Sequence, residues 1–330
     1  MAKATIIGGT EVSVQNRPYR ENLSDMMTTF KNVLTYFKQS GRALSGIQKL
    51  SLAPSAKLAV FPTVVLVPLY EEYQQPSGGL GRYTANYSLQ ANLYTKGVPI
   101  SSTMRSGITL WESLQDIINW NPKLLDHTLD NTTTENVDYV DKALTVHIGN
   151  AALGPINPER AQGLQSVEIP IVIKTFLDLP AVITQSTTWQ SGGVKPLLDA
   201  IYTTISGDST LSSVFKTFEK QNIPPISKYP ALTMGMEEVE QIRHTGWESR
   251  VVAVQLIVWS QMLPTQSSLT QHLSRVEQVR DVLFQNYGWG GLCVDSWIPR
   301  VDHGAYSADG KRDTLYSSLI TLACEVRVDY

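Results

Sequence analysis

Cysteine is almost absent from this chain. Only Cys293 and Cys324 occur among 330 residues, with no CxxC spacing. That excludes a disulfide framework and a zinc site built on paired thiols, and leaves each cysteine as a small apolar side chain for a core. Charge is scarce too: 17% of residues are charged and the net charge is −3. A general nucleic-acid binder carries a basic field, which is missing here; mild negativity instead suits DNA passing by without sticking. No apolar run approaches the ~20 residues that span a bilayer, so no membrane partner is expected. The opening MAKATIIGGTEV lacks the apolar region of a signal peptide, so synthesis in a cytoplasm is expected and the sequons at Asn86 and Asn131 carry little meaning. Also missing are GxSxG, HExxH and any paired-carboxylate helix motif.

What is present is ample apolar material, 42% of the chain, enough for the two cores that this length suggests. One plan of elements is expected twice, in Phe61–Phe176 and again in Tyr229–Val328. Each copy opens on an aromatic-Pro pair, Phe61-Pro62 or Tyr229-Pro230, and continues into a long strand, Arg82–Tyr94 or Arg250–Ser260. A helix follows, Leu110–Asn119 or Leu269–Phe284. Two strands close each copy: Ala143–Ile148 and Val167–Phe176, or Ser296–Val301 and Leu315–Val328. Thr109-Leu110-Trp111-Glu112 and Ser268-Leu269-Thr270-Gln271 read as capping boxes for the inserted helices.

In front of each copy stands a helical stripe. The first is Leu23, Met26, Met27, Phe30, Val33, Leu34 and Phe37; the second is Leu197, Leu198, Ile201 and Ile205 after Pro196. In Arg82–Tyr94 the residues Tyr83, Ala85, Tyr87, Leu89, Ala91 and Leu93 alternate with polar ones, the mark of a half-buried strand. Its counterpart from Arg250 is apolar on both faces except at Gln255, and needs cover on both sides. The fold class expected is therefore α+β, two tandem domains, each a mainly antiparallel sheet packed with helices. Residues 1–20 form an arm, 21–178 the first domain, 179–193 a linker containing Pro180 and Gly192-Gly193, and 194–330 the second domain.

Chemistry-bearing residues are sparse. His244 with Trp247-Glu248 is explained by a turn flanking a strand. His303 beside Asp302, near Asp309 and Asp313, suits a solvated hairpin loop, Asp302–Asp313, better than an acid–base pair, because no HxH, HxxxH or DxD spacing exists. His127, His147 and His272 stand alone, as surface or satisfied core residues. Gly78-Gly79-Leu80-Gly81 lacks the Lys-Ser/Thr and the helix of a phosphate loop and reads as a turn, while Gly288-Trp289-Gly290-Gly291 reads as a helix stop. Arg243, Arg250, Lys311 and Arg312 are interleaved with acids and read as a solvated rim. Trp189, Trp289 and Trp297 read as core residues, though tryptophan also anchors interfaces. No catalytic, cofactor-binding or metal-ligating residue is assigned, no cofactor is expected, and the chain is not read as an enzyme.

The second copy resembles a known family. A short strand after KYPAL, a long strand ending VQLIVWS, the helix SSLTQHLSRVEQVRDVL and a last strand LYSSLITLACEVRV follow the layout of phage tail-terminator proteins, also called tail-completion or head–tail joining proteins. The resemblance covers Gly193–Val328. It implies a virion structural protein, made in the host cytoplasm and sited in the neck of a phage tail. Such proteins form a ring, usually hexameric, that caps the tail tube, stops its growth and joins it to the neck. Partners implied are further copies of itself, the tail tube protein, a neck or connector protein, the sheath protein in contractile tails, and genomic DNA passing through the lumen without specific binding. A ring of three chains is the alternative to six. Other readings are another neck, collar or baseplate component, a ligand- or nucleic-acid-binding module, and a hydrolase with an unrecognised site.

Overall fold

The computed structural model describes residues 3–5, 11–13, 22–52, 60–74, 82–97, 100–124, 126–129, 135–138, 142–154, 157–159, 162–178, 193–220, 226, 228–244, 247–263, 267–286, 288–306 and 315–329. It is a mixed α+β protein divided into two compact units. Unit 1 is Met1–Val67 with Thr84–Leu177; unit 2 is Pro68–Tyr83 with Asp178–Tyr330.

Unit 1 begins with β1 (Lys3–Thr5) and β2 (Glu11–Ser13), an antiparallel pair within the expected arm. α1 (Leu23–Phe37) has the predicted bounds and buries Met26, Met27, Phe30, Val33 and Leu34. Then come β3 (Lys49–Ser51), β4 (Thr63–Gln74), whose residues beyond Val67 count to unit 2, and β5 (Arg82–Gly97). α2 (Ile100–Trp120) follows, then β6 (Asp126–Leu129) paired with β7 (Glu135–Asp138). β8 (Thr145–Ile148), β9 (Ala152–Leu153) and β10 (Asn157–Glu159) each pair antiparallel with the long β11 (Gln162–Asp178). β11 neighbours β5, β5 neighbours β4, and β3 runs parallel to β4. The alternation in β5 is realised: Ala85, Tyr87, Leu89, Ala91 and Leu93 are buried, with Val167, Ile169, Ile171 and Ile173 of β11 and Leu114, Ile117 and Ile118 of α2.

Unit 2 starts with α3 (Val194–Gly207) and α4 (Ser209–Val214); the Asp208 carboxylate caps α4 by accepting from Leu211 N at 2.9 Å. β12 (Thr217–Glu219) runs parallel to β13 (Ala231–His244), which forms a hairpin with β14 (Trp247–Gln261). α5 (Ser267–Gln285) precedes a short 3-10 turn, Trp289–Gly291, and the hairpin of β15 (Asp295–Tyr306) and β16 (Leu315–Asp329). β16 pairs with β14 along its whole length, and β15 pairs with Tyr70–Glu72 of β4. Pro68–Tyr83, assigned by sequence to the first domain, is thus part of unit 2.

Each unit includes, in order, a helix, a short strand parallel to a strand of a long hairpin, an inserted helix, an edge strand and a closing strand; β6–β7 and β10 are additional in unit 1 and α4 in unit 2. The parallel pairs even begin alike. Gln48 N donates to Pro62 O and Lys216 N to Pro230 O, each at 2.8 Å, and Phe61-Pro62 and Tyr229-Pro230 are both cis.

Several expectations are corrected. α2 begins ten residues before Leu110, so Thr109 lies inside a helix; it caps nothing, and its carbonyl accepts from Ser113 Oγ at 2.9 Å. Ser268 Oγ donates to Leu263 O at 3.0 Å, so it is not capping an N–H either. The Ser113 and Ser268 hydroxyls each turn to a carbonyl, the alternative that serine has in and around helices. Asp302–Tyr306 are strand, not loop, because β16 pairs with them to Tyr306↔Leu315. The linker 179–192 lies outside the described residues.

Candidate functional site: a buried polar chain in unit 2

The apolar stripe of α5 packs on β14 and β16, whose inward residues Val252, Val254, Leu256, Val258, Ile320, Leu322 and Val326 are buried. Four buried positions of α5 are polar, Ser268, His272, Glu277 and Arg280, and two of them matter most here. His272 sits one residue before Leu273, and Arg280 falls between Val276 and Leu283; both are about as buried as their apolar neighbours, at 1% and 2% exposure. A buried polar group must find partners or cost several kcal/mol, and here the partners come from four strands.

Glu71 of β4 is the acceptor at one end. His303 Nε2 lies 2.9 Å from Glu71 Oε1, Tyr73 OH donates to Glu71 Oε2, and Arg280 Nη1 stands 3.2 Å from the Tyr73 oxygen and 3.9 Å from Glu71 Oε2. His303 Nδ1 is 2.8 Å from Ser318 Oγ, and that oxygen is 2.7 Å from His272 Nε2. His272 Nδ1 is 3.0 Å from Ser260 Oγ, which accepts from Arg275 Nη1 at 3.2 Å. One direction of donation satisfies every atom: Arg275 to Ser260 to His272 to Ser318 to His303 to Glu71.

The electrostatics agree with this direction. Burial pushes the Glu71 carboxyl up, but the His303 hydrogen bond, the Arg280 guanidinium and the Tyr73 hydroxyl together outweigh it and hold the group below the usual carboxylate range. His272 is driven well below its ordinary 6.5, first by burial and then by His303 and Arg275, so it is a neutral imidazole. Arg280 also reaches Asp281 Oδ1 at 3.1 Å.

Glu71, His303 and Ser318 have the composition of an acid–base–nucleophile triad. Their setting differs from one that meets a substrate. Ser318 is 0% exposed, and its oxygen is held between two imidazoles. In this arrangement the chain of bonds is a structural clasp: it ties Pro68–Gln74 into unit 2 beside only three register pairs with β15.

Among the residues singled out by sequence, His272 is a satisfied core residue and His303 is a buried strand residue. His147 is exposed at the end of β8, with Thr145 Oγ1 3.3 Å from its Nε2. His244, Trp247, Glu248 and Arg243 lie on β13 and β14, Arg250 is on β14, and His127 is on β6; side-chain placements at His244, Trp247, Glu248, Arg243 and His127 are outside the described residues, as are residues 78–81, Trp189, Asp309, Lys311, Arg312 and Asp313. Trp289 is buried and Trp297 half-buried. Gly288, Gly290 and Gly291 have φ of 81°, 71° and 88°, as a glycine stop after a helix requires. Cys293 and Cys324 are free and buried; the hydrogen bond that the Cys324 thiol gives Cys293, with burial, raises that thiol well above its ordinary value and disfavours the reactive thiolate. Among the described residues no group of His, Cys, Asp or Glu could hold a metal ion, and no helix is long and apolar enough to cross a membrane.

Glu71, Tyr73, Ser260, Arg280 and Ser318 were missed by sequence reasoning. The signal for Arg280 was there, as a cation on the buried side of an amphipathic helix. Glu71 gave none, because His303 and Arg280 lie more than two hundred residues away.

No family model and no curated protein matches this chain. Among solved structures, it is similar to a chain described as "Virion of native gene transfer agent (GTA) particle", at 14% identity and a TM-score of 0.33, over 40% of this chain and 94% of that chain.

Proposed function

We propose that this protein is a virion structural component, a phage tail terminator built from a duplicated unit. It closes as a ring on the end of the tail tube, stops growth of tube and sheath, and joins the tail to the neck. The observation that carries the reading is the architecture of unit 2. Its parallel β12–β13 pair, long β13–β14 hairpin, inserted α5 and closing β15–β16 hairpin follow the layout on which the sequence resemblance rests. The recurrence of that order in unit 1 supports duplication.

The sheets suit a ring subunit. Edge strands with open backbone groups pair readily with neighbouring chains. Trp120 at the end of α2 is 89% exposed, an anchor of the kind interfaces use. The outward side of the unit 2 sheet keeps Val251, Ala253, Ile257 and Leu319 only half-covered. The role needs no chemistry, and the buried state of Ser318 is consistent with none. Tails assembled without this protein should vary in length or fail to join heads, and the purified protein should form rings visible by electron microscopy. Tails of normal length that still join heads in its absence would reject the assignment.

A further inference from the structure

Within unit 2 the chain joins a strand end to a sheet edge. The far end of β4 lies antiparallel to β15, with Tyr70↔Asp302, Glu71↔Val301 and Glu72↔Arg300 opposed. Both partners of this joint have counterparts that stay open.

The counterpart of β4 is β13. Each starts parallel to a short strand, Lys49↔Thr63 in one case and Thr217↔Ala231 in the other, so the two align at one offset from their first residues, to within the single-residue bulge of β13 between Met236 and Glu238. β12 stops at Thr233. Beyond it, among the described residues, β13 pairs with β14 alone, and its other edge is uncovered to His244. On that offset Glu240 holds the place of Glu72, and the Glu240 side chain is exposed.

The counterpart of β15 is β8 with β9. β15 loses register against β16 between Trp297 and Arg300. β8–β9 does the same against β11, between Ile148↔Ile171 and Ala152↔Glu168. Arg300 is the first paired residue after one break and Ala152 the first after the other. Ala152 and Leu153 are both exposed, and among the described residues nothing pairs with their outer edge. The start of β8 is less open, because Val146 N donates to Pro122 O at 2.8 Å. That leaves β9 as the free stretch.

We infer that copies of this chain join head to tail by strand addition, the free half of β13 in one copy pairing antiparallel with β9 of the next. The inference rests on the ring reading and specifies its joint. A second copy is the occupant because this sequence already makes the same joint with itself, and among the described residues the counterpart of each side of that joint is unpaired. Met236 on the free half of β13 and Leu153 on β9 add an exposed apolar side chain to each edge. The contact is heterologous, so it closes into a ring or continues as a filament. Units 1 and 2 then alternate along the assembly. Three chains carry six units, the subunit number of the usual ring that the family resemblance implies, so this joint favours a ring of three chains over one of six.

The test places cysteines at Glu240→Cys and Ala152→Cys in the full chain and adds a short bismaleimide. The two native thiols are buried. The double variant should give a covalent ladder ending at three chains. Each single variant alone should give none, and a mixture of the two should give dimers. Self-coupling of the Glu240→Cys variant would mean a two-fold contact and overturn the joint. Rings seen by microscopy that do not couple through these positions would overturn the joint while sparing the ring reading. A ladder ending at six would reject the three-chain ring. A chain that sediments as a monomer at every concentration would overturn joint and ring together.

Discussion

The Glu71–Arg280 contact is worth little as a pair and much as a dependency. Both side chains are buried, and burying two charges costs several kcal/mol that their attraction only repays when every lone pair is met. Removing one partner exposes that cost. Glu71→Gln should destabilise unit 2 on the order of 3 kcal/mol in urea unfolding, because the buried Arg280 guanidinium loses its buried counter-charge. Glu71→Gln combined with Arg280→Met should recover most of the loss; no recovery would show that the two do not depend on each other.

Protonation gives a second test at this scale. The folded-state pKa of His272 lies below its ordinary 6.5, so below that pH the unfolded chain takes up a proton that the folded chain refuses. Stability is therefore full above about pH 6.5 and falls as the pH drops. Glu71 is held below its ordinary 4.5, so its contribution is present above 4.5 and is lost on further acidification. Thermal melts should show Tm falling between pH 7 and 5, and His272→Gln should flatten that limb. An unchanged slope in the variant would mean that His272 does not control it. Of these residues only the two histidines were visible in the sequence, and they looked isolated. A chain of hydrogen bonds between residues 71 and 318 leaves no local pattern.

At the scale of elements, apolar periodicity located the helices and long strands because each buries one face in its own unit. α1, α5, β14 and β16 fall within a few residues of their predicted bounds. α2 shows where that logic stops. Its first turns read SSTMRSGIT, rich in weak helix formers with a glycine at 107. Tertiary packing overrides the propensity: a Cβ at Gly107 would meet Gln165 Oε1 at 3.4 Å and Thr95 Oγ1 and Val167 Cγ2 at 3.5 Å. Those are ordinary contacts, so Gly107→Ala should be neutral or stabilise by up to about 1 kcal/mol. Gly107→Leu should overpack the same gap and cost roughly 1–3 kcal/mol. Equal melting temperatures for the two variants would show that α2 does not pack this closely on β5 and β11.

For the whole molecule, the sequence by itself determined the α+β class and the order of the long elements. These depend on alternation, amphipathic stripes and turn residues, all local along the chain. Only the tertiary structure decided which strands have neighbours. Strand partnership depends on which edges meet in space, and a backbone edge carries no side-chain signature. That is why Pro68–Tyr83 could be read as part of the first domain when its pairing and its buried Glu71 belong with β15, α5 and β16. It is also why the stretches of β13 and β9 that are open among the described residues, on which the proposed joint depends, became visible only once the rest of the sheet was paired.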